Sequence, residues 1–160
     1  MAKRRNTEGT LGLIPLAHSP IPNIKVWSLG KQYVDAAQVL LDANHLLQAA
    51  VLSALALEIL LKSFLAENNE LGKSITKQGH DLPCLFAHLN SNDKADLLAA
   101  FQSIDPKTVL PQALTKFTGI FTKARYFYEP SSPRGVSSEV IYLAQDLCAA
   151  ILEVARQRNL

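Results

Sequence analysis

Apolar residues recur along most of this chain at intervals of three and four, separated by short polar stretches rich in Gly, Pro, Asn and Asp. That spacing predicts amphipathic helices, because positions three and four apart share one helical face. From residue 28 onward six segments can be drawn. Ser28 is placed to cap a first helix whose inward face is Tyr33, Ala36, Ala37, Leu40 and Leu41. Residues 45–68 form a second helix that is apolar nearly all round, as befits a helix surrounded by neighbours. Asp81 can cap a short third helix running to Leu89, with Pro83 tolerated in its first turn. Asn92 or Asp93 can cap a fourth, which presents Leu97, Leu98 and Phe101. A fifth begins near Val109 with Pro111 in its first turn. Leu110, Leu114, Phe117, Phe121, Ala124 and Tyr128 make one stripe along it, and Pro130, Pro133 and Gly135 end it. The last, about residues 137–158, repeats the stripe at Val140, Ala144, Leu147, Ile151 and Val154. No segment alternates with period two between turn signals, so no sheet is expected. The pattern predicts an all-α fold, a helix bundle of four to five main helices.

Residues 1–27 are different in kind. They carry a basic start (Lys3, Arg4, Arg5), then Gly9, Gly12, Pro15, Pro20 and Pro22, with no sustained period. Proline removes a donor and pushes the preceding residue toward extended geometry, so an arm is expected, anchored at its end by Val26 and Trp27. Residues 28–160 then form one helical domain, and this length suffices to bury about two-thirds of the unfolded surface.

Composition narrows the classes. An apolar fraction of 48% excludes a disordered chain, and a net charge of +2 is too small to demand a polyanionic partner. Residues 49–66 are the nearest thing to a membrane span. Glu58 and Lys62 fall near their middle, and each would cost about 2.5–3.5 kcal/mol in a bilayer. A core helix in a protein with no membrane association is the expectation. Cys84 and Cys148 lie in apolar helical patterns with no His or Cys at metal-ligand spacing. They read as two buried thiols of a cytoplasmic protein, with neither metal nor cofactor expected.

Three polar groups interrupt the apolar pattern. Glu58 and Lys62 are spaced i, i+4 in the most apolar helix, and a buried carboxylate must be paired, because desolvation disfavours its charged form. His80 and Asp81 open the third helix, and a histidine there serves as scaffold more often than as catalyst. Arg125, Tyr126, Tyr128 and Glu129 close the fifth helix. Arginine suits buried ion pairs because its planar fork holds a carboxylate through two hydrogen bonds, so Arg125 is the expected partner of Glu58, tying the second helix to the fifth.

Taken in order, Ala56-Leu57-Glu58-Ile59-Leu60-Leu61-Lys62, Gly79-His80-Asp81-Leu82 and Arg125-Tyr126-Phe127-Tyr128-Glu129 resemble a branch of the HEPN superfamily. In that branch an AlExxLK helix, an HDL turn and an RYxYE helix end occur together. The resemblance implies a helical bundle that usually dimerises, in prokaryotic toxin–antitoxin, antiviral or stress systems. Many HEPN domains are metal-independent endoribonucleases whose signature is an Arg followed four to six residues later by His. Histidine moves the proton of the 2′-hydroxyl or leaving oxygen while arginine stabilises the phosphorane charge. Here the positions after Arg125 hold Glu129, Pro130 and Ser131, and none of His18, His45, His80 or His88 follows an arginine at that spacing.

The expectation is therefore a non-catalytic or degenerate HEPN-like domain that binds a nucleotide, RNA or a protein partner encoded nearby, and forms a homodimer. Glu58, Lys62, His80, Asp81, Arg125, Tyr128 and Glu129 would make its polar network. Two alternatives stand beside it. One is an endoribonuclease with an unusual site in which His80, Arg125 and Tyr126 are the catalytic candidates. The other is a purely structural dimerising domain.

Overall fold

A computed structural model describes residues 20–66, 79–124 and 136–159. Helix α1 spans Ile24–Asp42 and starts earlier than Ser28. Pro20 and Pro22 hold the approach extended, and Asn23 then caps the helix, its Oδ1 accepting from Lys25 N at 3.0 Å and Val26 N at 3.1 Å. The Asn23 N–H donates to Ser63 O at 2.8 Å, which pins this end to the neighbouring helix. Val26 and Trp27 thus belong to α1 rather than to an arm. Trp27 packs on the core, and its Nε1–H donates to Cys148 O at 3.0 Å.

The buried stripe of α1 is Gly30, Val34 and Ala37, with Tyr33, Leu40 and Leu41 partly buried against the core. Ala36, expected inside, is exposed, because the stripe turns about Ala37 instead. Helix α2, Leu46–Leu65, is the centre of the molecule, and twelve of its side chains are buried. It is long and apolar enough to cross a membrane by composition, yet α1 covers it along one side and other helices cover much of the rest. Gly30 marks the closest approach of α1 to α2. A Cβ built there would lie 2.8 Å from Leu60 Cδ2, so only glycine fits.

Helix α3, Leu82–His88, forms as expected. Asp81 accepts from Cys84 N at 3.1 Å, and Pro83 sits in the first turn where its missing N–H costs nothing. Helix α4, Ser91–Ile104, is capped by Asn90 rather than by Asn92 or Asp93. The reason is a reciprocal pair: Asn90 Oδ1 accepts from Asp93 N at 2.8 Å and Asn90 Nδ2 donates to Asp93 Oδ2 at 2.9 Å.

The predicted fifth helix is broken in two. Helix α5 covers Leu110–Phe117 and α6 covers Ile120–Lys123, with Gly119 between them at φ +86°, a conformation that ends a helix and that glycine adopts readily. The apolar spacing ran through this break because Phe117 and Phe121 keep the same spacing on either side of it. Tyr128 lies outside the described residues. Helix α7, Glu139–Arg158, buries Val140, Ala144, Leu147, Ile151 and Val154 as its pattern predicts, and packs on α1, α2 and α4. No strand occurs among the described residues, and the fold is all-α.

At the end of α7 the Arg158 guanidinium is almost wholly buried. It lies 2.7 Å from Asp93 Oδ1, donates to Asp96 Oδ2 from Nε at 3.0 Å and Nη2 at 2.7 Å, and donates to Pro20 O from Nη1 at 2.7 Å. One side chain thereby joins α7, α4 and the segment before α1. Of the two cysteines, Cys148 is buried, and burial pushes its thiol up to about 11. Cys84 is only half-buried, contrary to expectation, because it sits on the outer side of the short α3.

Candidate functional site

Glu58 lies in the middle of α2 and is 5% exposed. One turn further on, Lys62 Nζ pairs with Glu58 Oε1, so the favourable Glu-before-Lys order becomes a contact. The second oxygen, Oε2, pairs with His80 Nδ1. Lys62 reaches the carboxylate with a side chain that stays 26% exposed. The carboxylate is thus buried with both oxygens engaged.

His80 is delivered by a turn with little freedom. Gly79 takes φ +41°, and Asp81 begins α3 directly after. Thr118, at the α5–α6 break, accepts from Leu82 N through Oγ1 at 3.1 Å and donates to His80 O at 3.5 Å. The imidazole packs against the Phe121 ring, with centroids 4.6 Å apart at 47°. The break in the predicted fifth helix therefore has a role. It brings both Thr118 and Phe121 into contact with the His80 turn.

Chemically, an ionised carboxylate can only accept, so Nδ1 carries the proton and donates to Glu58. In the neutral ring Nε2 is then left as an acceptor, in the orientation a carboxylate imposes on a working histidine. Asp81, expected from sequence both as a cap and in the polar network, caps α3 through its carboxylate. Arg125, Tyr126, Tyr128 and Glu129 lie outside the described residues, and the expected Glu58–Arg125 pair with them. The partners that the described residues supply to Glu58 are Lys62 and His80.

His80 also lines a pocket of about 590 Å³. Its walls are Leu40 from α1, Leu47, Gln48, Val51 and Leu52 from α2, and Phe121, Thr122 and Ala124 around α6. This is a side of α2 that the described helices leave uncovered. Sequence reasoning took α2 as a helix surrounded by neighbours and did not single out Leu47, Gln48, Val51 or Leu52; Gln48, a polar residue in the first turns of an otherwise apolar helix, was the available signal.

A second cleft, of about 420 Å³, runs between α5 and α7 and holds Asp105, Lys116, Glu139, Tyr142 and Asp146. Burial pushes the Asp146 carboxyl up, with a smaller push from Asp105. The Asp105 carboxyl is held down, chiefly by its hydrogen bond with Thr108. None of the candidate site residues named from sequence is among its described lining. Among the described residues no three His, Cys, Asp or Glu side chains cluster as a metal site would require. No known protein family, curated protein or solved structure matches the chain.

Proposed function

We propose that the chain is a HEPN-like binding domain without ribonuclease activity. It would act in the cytoplasm of a prokaryotic stress, defence or toxin–antitoxin system, and seat a nucleotide or RNA at the His80 pocket. The observation that carries this reading is the Glu58–His80 pair on the wall of a pocket of ligand size. Two of the three motifs that carry the family resemblance meet there, although 22 residues separate them. Burying a carboxylate to orient a ring at a pocket makes sense when that ring meets a ligand. Against catalysis stands the sequence after Arg125, which lacks the histidine of the active members; without a placed proton carrier a rate factor of about 10²–10⁴ is forfeited.

One observation favours a second reading. A carboxylate on Nδ1 is also what a general base needs, so His80 with Arg125 could cleave RNA. Fluorescence anisotropy with labelled single-stranded and hairpin RNA, run beside a cleavage assay in EDTA, separates the two. Saturable binding with intact RNA is the expected result. Cleavage that survives EDTA and disappears in folded His80→Ala and Arg125→Ala variants would replace binding by catalysis.

A further inference from the structure

We infer that the His80 pocket takes an uncharged planar ring that donates an N–H or O–H hydrogen bond to His80 Nε2. This rests on the pocket being the binding site, but not on the family resemblance. The first ground is the lining. Leu47, Val51, Leu52 and Phe121 offer aliphatic and aromatic surface, and the described lining residues include no Asp, Glu, Lys or Arg. The nearby cation, Lys62, is already paired with Glu58. A phosphate or carboxylate drawn into the pocket would lose its hydration, and the described lining offers it no counter-charge, which is costly. A flat apolar body suffers no such loss, and the Phe121 ring offers it a face or edge to pack on.

The second ground is direction. Glu58 can only accept, so it fixes a proton on Nδ1, and in the neutral ring Nε2 is then the acceptor. A ligand that donates is therefore matched. One that can only accept leaves two lone pairs facing each other in a site of low polarity. Of the other polar lining residues, Thr122 already donates its Oγ1–H to Gly119 O at 3.0 Å and so can only accept from a ligand, while Gln48 can do either. The ring could be a free heteroaromatic molecule or the base of a nucleotide, whose phosphate would then remain outside.

Calorimetric titration of the full chain with indole, benzofuran and indene isolates the donor, since the three share one shape. Indole is expected to bind saturably and at least tenfold more tightly than the other two. His80→Phe, which keeps a ring against Phe121 without the acceptor, should abolish that preference. Equal affinity for all three, or no saturable binding by any, would overturn the inference. Side-chain ¹⁵N spectra of the wild-type protein give a check that needs no variant. They should show His80 with its proton on Nδ1 and the Nε2 resonance moving on addition of indole; a proton on Nε2 would sink the proposal. Adenine against adenosine 5′-monophosphate separates the two sources. Equal or weaker binding of the nucleotide agrees with a phosphate left outside, whereas tenfold tighter binding would mean a cation within reach and refute the uncharged class. Loss of RNA binding with the indole preference intact would remove the proposed function alone.

Discussion

Glu58 and Arg158 are both charges drawn into the protein, and their surroundings predict different costs of removal. The Arg158 side chain is 6% exposed and faces Asp93, itself 3% exposed at its side chain. Arg158→Ala leaves that carboxylate buried without its cation, and a loss of about 3–5 kcal/mol is expected. Glu58→Ala leaves Lys62 and His80, which can both turn toward water, so the loss should be smaller, about 2–3 kcal/mol. Urea unfolding of the two variants beside the wild type measures both, and the reverse order would refute the distinction. Cys148 makes a separate prediction. Its thiol is raised by burial from 9.0 to about 11, so the unfolded chain loses this proton at lower pH than the folded one. Its contribution is fully present below pH 9 and disappears as pH rises toward 11. Cys148→Ala should flatten the alkaline fall in stability across that window, and at pH 8 a thiol reagent should modify Cys84 well before Cys148.

Helices α1 and α2 meet where a side chain is missing. A Cβ at residue 30 would lie 2.8 Å from Leu60 Cδ2 and 2.9 Å from Leu60 Cγ, and Leu60 is fully buried. Alanine at a helical glycine ordinarily gains about 0.5–1 kcal/mol, whereas overpacking of a tight core costs about 1–3 kcal/mol. The overpacking wins here, and Gly30→Ala should lower the unfolding midpoint. At Gly119 a Cβ would meet only the Lys123 side chain, at an ordinary contact distance of 3.5 Å, but φ is +86°, so Gly119→Ala is expected to cost about 1–2 kcal/mol through backbone strain. Since Gly119 positions Phe121 beside His80, that variant should also weaken the indole preference, read by the same titration.

For the molecule as a whole the open quantity is the number of chains that assemble. Light scattering at micromolar concentration is the measurement, and a homodimer is the expected result. Besides the open side of α2, exposed apolar side chains elsewhere offer surface for it. Val39 of α1 is 67% exposed, Val109 before α5 is 54% and Tyr142 of α7 is 52%. A monomer would leave these as ordinary scattered surface residues.

The helical class, the central place of residues 46–65, the Asp81 cap and the buried stripe of α7 could all be read from the chain. Each follows from local periodicity or from one side chain reaching its own backbone. The requirement that a carboxylate at Glu58 be paired was legible for the same kind of reason, since desolvation acts whatever the partner. Which group pairs with it was not. His80 stands 22 residues from Glu58, and their meeting depends on the α5–α6 break that sets Thr118 and Phe121 beside the turn. The pocket, the Arg158 clasp and the Gly30 contact are likewise products of packing. They join residues far apart in the chain, and no local pattern records which helix face is left uncovered once the others have closed on the core.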